Sequence, residues 1–140
     1  MQKTFFKIIK SFYPPFLLYA FQYLMVVFFD LYRTWPPFDI PMHFLGGLTM
    51  GITGYFLLKI AREQNWLKIE SKLVFLFVVV CFVSLMATLW EFYEFLMDYY
   101  FHTVNQPSIA DTMGDMFLGL CGGLGAGIME VARFFRGKKS

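Results

Sequence analysis

The stretch LVFLFVVVCFVSLMATLWEFYEFLM (Leu73–Met97) decides the fold, because it carries no charge from Leu73 to Trp90 and then ends in acids. A hydrocarbon core of roughly 30 Å needs about 20 apolar residues per helical crossing, and this stretch supplies them. Three further segments read the same way: Phe16–Tyr32, Pro41–Ala61 and Thr112–Phe135. Composition agrees with a lipid solvent. Of 140 residues, 58% are hydrophobic and 21% aromatic while 16% are charged, more apolar surface than a soluble domain of this size can bury. The reading is an all-α membrane protein: residues 1–140 form a single transmembrane domain, a four-helix bundle with a short amphipathic N-terminal segment.

That segment, MQKTFFKIIKSFY (1–13), spaces Lys3, Lys7 and Lys10 three or four residues apart among apolar side chains. The pattern predicts an interfacial helix or an extension of the first span, broken from it by Pro14 and Pro15. A cleaved signal peptide would also start basic and turn apolar, but no small-x-small cleavage site follows.

Charge sorting gives the orientation. Lys3, Lys7, Lys10, Lys59, Arg62, Lys68, Lys72, Arg133, Arg136, Lys138 and Lys139 fall at one end of the four spans, and Arg33 alone falls at the other. The positive-inside rule then puts both termini on the cytoplasmic side. The basic residues are thereby explained by topology, which leaves no argument for nucleic acid as a partner. The partner that composition implies is the lipid bilayer, and the reading leaves room for an oligomer.

The acids sort oppositely. Asp30, Asp39, Glu91, Glu94, Asp98, Asp111 and Asp115 all lie at or near the outer ends of the spans, together with His43 and His102. In the second span Asp39, His43, Gly47 and Gly51 follow at four-residue steps; in the fourth, Asp111, Asp115, Gly119, Gly123 and Gly127 do the same. Residues four apart share a helix face, and glycines at that spacing let helices approach closely in lipid. Glu91, Glu94 and Asp98 lie on one face of the third span, continued inward by Ala87 and Ser84. Three helices thus offer polar patches at similar depth beside small-residue contact surfaces.

A carboxylate in hydrocarbon is costly unless paired, protonated, hydrated or metal-bound. One imidazole with several carboxylates is a first shell suited to Zn²⁺, Mn²⁺ or iron, and Mg²⁺ would use the oxygens. We therefore expect a divalent metal ion on His43, Glu94, Asp111 and Asp115, with Glu91 and Glu94 as catalytic acids or bases and Asp39 and Asp98 supporting them. A metal there would polarise a phosphoryl or carbonyl oxygen; without one, the acids would share protons. The plainer reading is that Asp39, Asp98 and Asp111 are interfacial helix ends, Asp111 serving as the cap of the fourth span. Asp30 is explained by Arg33 three residues on, and His102 by a solvent-facing loop. Cys81 and Cys121 sit mid-span without ligand spacing and read as packing, the phenylalanines as lipid-facing bulk, and Trp90, Tyr93, Tyr99 and Tyr100 as an interfacial belt. No phosphate-cradling glycine loop, nucleophile elbow or HExxH is present.

The segments DIPMHFLGG, WEFYEFLMD and DTMGDMFLGLCGG, in that order, resemble the YjdF-type family of bacterial inner-membrane proteins. The matching positions are Asp39, His43, Phe44 and Gly47; Glu91 and Glu94; and Asp111, Thr112 and Asp115. The resemblance covers about residues 39–127 and implies an architecture and a set of important positions rather than a reaction. A more distant similarity is to VanZ-like proteins, which share Asp-x-x-x-His and later acid motifs but often carry Asn where this chain has Gly119. Their association with glycopeptide resistance implies envelope chemistry by analogy. The leading expectation is a metal-dependent hydrolase or transferase acting on a lipid or cell-envelope precursor. A cation-binding or transport component and a structural accessory subunit are the alternatives, and the scarcity of polar side chains in the inner halves, Thr53 and Ser84 apart, argues against transport.

Overall fold

The computed structural model describes residues 2–136, and every regular element among them is helical. In order these are α1 (Gln2–Ser11), α2 (Tyr13–Phe29), α3 (Leu31–Thr34), a 3-10 turn (Pro36–Phe38), α4 (Asp39–Glu63), α5 (Lys72–Phe101) and α6 (Ile109–Arg136). Three stretches are long and apolar enough to cross a membrane: Pro36–Glu63, α5 and α6. The α1–α2 pair makes a fourth crossing if its 42° bend is taken as a break within one span. Lys138 and Lys139, counted above among the cations, lie outside the described residues.

The local chemistry explains where each helix starts and stops. The first span was expected over Phe16–Tyr32; α2 instead ends at Phe29, because Asp30 turns left-handed (φ 50°) and its N–H caps the Val26 carbonyl. The Asp30–Arg33 pair is present at 3.8 Å. The third span runs past Met97 to Phe101, where His102 adopts φ 55° and caps the Asp98 carbonyl; its side chain is exposed. The fourth begins before Thr112. The Ser108 side chain accepts the Asp111 N–H (3.1 Å), so Ser108 is the cap and Asp111 stands in the first turn.

The break near the N-terminus falls at Phe12, and both prolines occupy the first turn of α2, where a missing N–H is no loss. Their cost appears one turn back. In an unbroken helix the Ser11 carbonyl would receive the N–H of residue 15, which is proline. The Thr53 hydroxyl of α4 points at that carbonyl instead, at 2.8 Å, and Thr53 is completely buried. This contact fixes the bend against α4. From it α1 runs along the basic end of α4, where Lys7 meets Glu63 at 2.8 Å.

Helices α4, α5 and α6 form the packed centre, with α6 against both others and α2 leaning on α4. Between α4 and α6 the backbones touch. A methyl group on Gly47 would overlap the Gly119 carbonyl, and one on Gly122 would overlap the Phe44 carbonyl. Nearer the basic end, a Cβ on Gly51 would fall 2.6 Å from that of Ala126. Lipid tails give apolar helices little reason to associate, so this close approach, with its dispersion contacts, holds the pair.

The basic half is closed by an apolar cluster of Tyr55, Ile69, Phe75, Val79, Val83 and Phe134. Here the structure corrects the expectation that phenylalanine faces lipid. Phe16, Phe28 and Phe77 do, but Phe75 and Phe134 are fully buried with ring centroids 4.6 Å apart. Arg62 lies over the Phe134 ring at 4.0 Å and donates to its carbonyl, satisfying a free C=O in the last turn of α6. Both cysteines are free, Cys81 exposed and Cys121 half-buried.

Gly122→Ala should therefore lower thermal stability in detergent by about 1–3 kcal/mol or more, since backbone cannot yield to the new methyl. Gly46→Ala, whose Cβ would meet no atom within 4 Å, should leave the melting temperature nearly unchanged. Equal effects of the two substitutions would refute this account of the α4–α6 contact.

Candidate functional site

The glycine contact sets the opening geometry of the acidic end. With Gly47 pressed on Gly119, the residues one turn nearer that end, His43 on α4 and Asp115 on α6, come face to face. Nε2 of His43 lies 3.8 Å from Oδ2 of Asp115 and 3.3 Å from Oδ1 of Asp39, one turn away on its own helix. The side chains of His43 and Asp115 retain 11% and 8% of their exposure, so the pair is largely withdrawn from solvent.

Two groups of ligand-type atoms share that imidazole. Asp39, His43 and Asp115 form one, and His43, Glu91 and Glu94 form the other; within each, one ligand atom per residue lies within 4.8 Å of the rest. Bonds of roughly 2.0–2.2 Å to a divalent metal hold two ligand atoms at most about 4.4 Å apart, so either group reaches a metal-binding distance by small side-chain movements. The donor set, one nitrogen with carboxylate oxygens, also suits such an ion. Asp111, one turn nearer the helix end, belongs to neither group.

The acids of α5 are held by residues that sequence reasoning passed over. Gln106, in the loop after α5, donates Nε2 to the Glu91 carboxylate at 2.8 Å and to the Glu91 backbone carbonyl at 3.0 Å. Asp98 in turn holds that loop: its carboxylate accepts from Thr103 Oγ1 (2.6 Å), Asn105 N (2.8 Å) and Gln106 N (2.9 Å). Asp98 thus reaches the site through Gln106 rather than by facing His43. Trp90, expected in the interfacial belt, donates Nε1 to Glu94 at 2.9 Å and meets Tyr19 of α2 edge-on, 6.0 Å between centroids.

Tyr32 is a second addition. It sits on α3, outside the membrane-crossing stretches, with its hydroxyl against the Gln22 amide. Burial first, then the charges of Asp39 and Glu94, push its phenol above the ordinary range, which keeps it a neutral hydroxyl beside the cluster. No spacing rule in the sequence singles out Gln22, Tyr32 or Gln106. The available signal was that a polar side chain within or beside an apolar span needs a partner.

An apolar cleft of about 500 Å³ adjoins the cluster, between α2, α4 and α5. His43 and Asp115 form part of its wall, together with Phe16, Tyr19, Met50 and Met86.

The family model described as "Predicted membrane protein (DUF2238)" matches residues 11–136. No curated protein and no solved structure gives a significant match.

Gln106→Ala should destabilise the protein by about 1–3 kcal/mol through the lost hydrogen bond to a buried carboxyl. Asp98→Ala should act on the same loop. The double variant should fall short of the sum of the two, because either change frees Gln106 from Glu91. Strict additivity in a thermal or denaturant series would refute the relay.

Proposed function

The chain belongs to the DUF2238 family of predicted membrane proteins, the family that includes YjdF, and on that premise we propose that it is a metal-dependent hydrolase or transferase acting on a lipid or cell-envelope precursor at the acidic end of the bundle. The observation that carries the reading is the sharing of one withdrawn imidazole, His43, by two carboxylate groups beside an apolar cleft of about 500 Å³. His43, Asp39 and Asp115 would hold the ion, with Glu94, grouped on the same imidazole, as a further donor and Asp111 supporting from one turn nearer the helix end. When bound, such an ion supplies Lewis-acid activation of a phosphoryl or carbonyl oxygen. Glu91 and Glu94 are the general acid and base candidates. Gln106 fixes the first and Trp90 the second by hydrogen bonds, as partners of reactive carboxyls commonly do.

Charge placement supports an outer-leaflet site with both termini cytoplasmic in an inner membrane. Among the described residues, Arg33 is the single Lys or Arg at the acidic end, and it is paired with Asp30. Transport by one chain fits less well. A pathway would have to pass the basic half, which Phe75, Val79, Val83 and Phe134 fill to nearly zero exposure.

Equilibrium dialysis of the detergent-purified protein against Zn²⁺, Mn²⁺ and Mg²⁺, followed by elemental analysis, tests the proposal. The expected result is stoichiometric retention of one of these ions. His43→Ala and Asp115→Asn should abolish it. A protein that retains no ion, or retains it unchanged in His43→Ala, overturns the reading.

A further inference from the structure

The cleft itself has features that the metal cluster does not explain. Its walls reach from Phe12 at the break along α2 to Gln22, from Met42 to Met50 on α4 and from Val83 to Tyr93 on α5. The ten-residue rise from Val83 to Tyr93 is about 15 Å, half of the roughly 30 Å hydrocarbon core, so the α5 wall runs about the depth of one leaflet. It begins at the bend pinned by Thr53 and Ser11 and ends level with the acids. Its volume falls in the range of ligand pockets, roughly 300–1,000 Å³.

The wall on the α2 side is loosely built. No residue of α2 is buried, and Phe16, Leu17, Tyr19 and Leu24 are exposed to the surroundings of the bundle. On α5, Leu89 and Tyr93 at the rim are exposed as well. Tyr19 and Trp90 meet across the gap between these two helices by a ring edge. Gly46, in the cleft wall, has no neighbour within 4 Å of where a side chain would begin. An apolar slot open sideways at membrane depth would meet lipid tails, and His43 and Asp115 are polar groups in its wall.

We propose that this cleft holds one acyl chain of a phospholipid from the leaflet at the acidic end. The chain enters between α2 and α5, and the ester-bearing junction of head and chain lies against His43 and Asp115. The inference rests on the proposed function for the role of the junction, and names its substrate class as an acylated membrane lipid. Chain binding stands on the cleft alone.

Reconstitution in phosphatidylcholine vesicles, in which a fraction of the lipid carries a diazirine on one acyl chain, tests it. After irradiation, adducts are expected on α2 between Phe16 and Gln22, near Gly46 and Met50, and near Met86. Gly46→Phe, which fills the slot, should cut this labelling several-fold, whereas Gly125→Phe, also free of neighbours at its Cβ, should not. Asp39→Asn, in the metal group but outside the cleft wall, should keep the labelling while losing the metal, so failure of the metal site and failure of the lipid site are read separately. Label spread evenly over outward residues such as Phe77, Leu85 and Phe92, or undiminished in Gly46→Phe, overturns the proposal. So does displacement of the acyl label by an unlabelled polyprenyl phosphate, which would make the occupant a prenyl chain.

Discussion

Backbone contact between α4 and α6 is the constraint on which the acidic end depends. Gly47 against Gly119 and Gly122 against the Phe44 carbonyl bring the two helices as close as polypeptide allows. At that separation a side chain one turn further along either helix has no room to avoid the other. His43 and Asp115 are those side chains, and their 3.8 Å approach follows from the glycines. Moving the helices apart by the width of a methyl would carry the imidazole away from Asp115 while leaving it beside Asp39, its neighbour on the same helix. The packing surface and the polar cluster are therefore one feature at two depths.

The second constraint is that lipid satisfies no polar group. Three irregularities in the backbone are answered by specific side chains. The prolines that start α2 free the Ser11 carbonyl, and Thr53 meets it. The last turn of α6 frees the Phe134 carbonyl, and Arg62 meets it. The loop after α5 is gathered on the Asp98 carboxylate, which sets Gln106 against Glu91. Such pairings give the loop a defined shape without secondary structure, and they connect residues far apart in sequence to the cluster.

Much of this is legible in the sequence. Long apolar runs located α4, α5 and α6 to within a few residues, and four-residue steps identified Gly47, Gly51 and Gly119 in the α4–α6 contact. Gly122 and Ala126, off the series, complete it, while Gly123 and Gly127 turn to Val83 and Val79 of α5. Periodicity along a helix states which residues share a face, which is why His43 and Asp115 emerged together. It says nothing about residues that act from loops or from a weakly patterned helix. Gln106 and Tyr32 belong to that class, as does the Thr53 contact, which exists only because α2 begins where α4 has a hydroxyl. The buried phenylalanines were missed for a related reason: Phe75 and Phe134 look like their lipid-facing neighbours in composition and differ only in the face they occupy.

The two halves of the bundle follow opposite rules, and the contrast bears on what chemistry it can host. Toward the basic end, Phe75, Val79, Val83 and Phe134 close the interior, and Arg62 seals the last turn of α6. Toward the acidic end the same three helices gather a cluster of carboxyls around His43, and α2 stands off far enough to leave a cleft beside it. A site meant to pass an ion across the bilayer needs polar groups on both sides of its midpoint. A site that works on a molecule already dissolved in one leaflet needs them on one side, with an apolar slot at the same depth and a dry floor beneath. The arrangement of α2, α4 and α5 around His43 meets the second description. Its closed half then serves the open one, as a rigid base that holds three helix ends at fixed spacing around a charged interior.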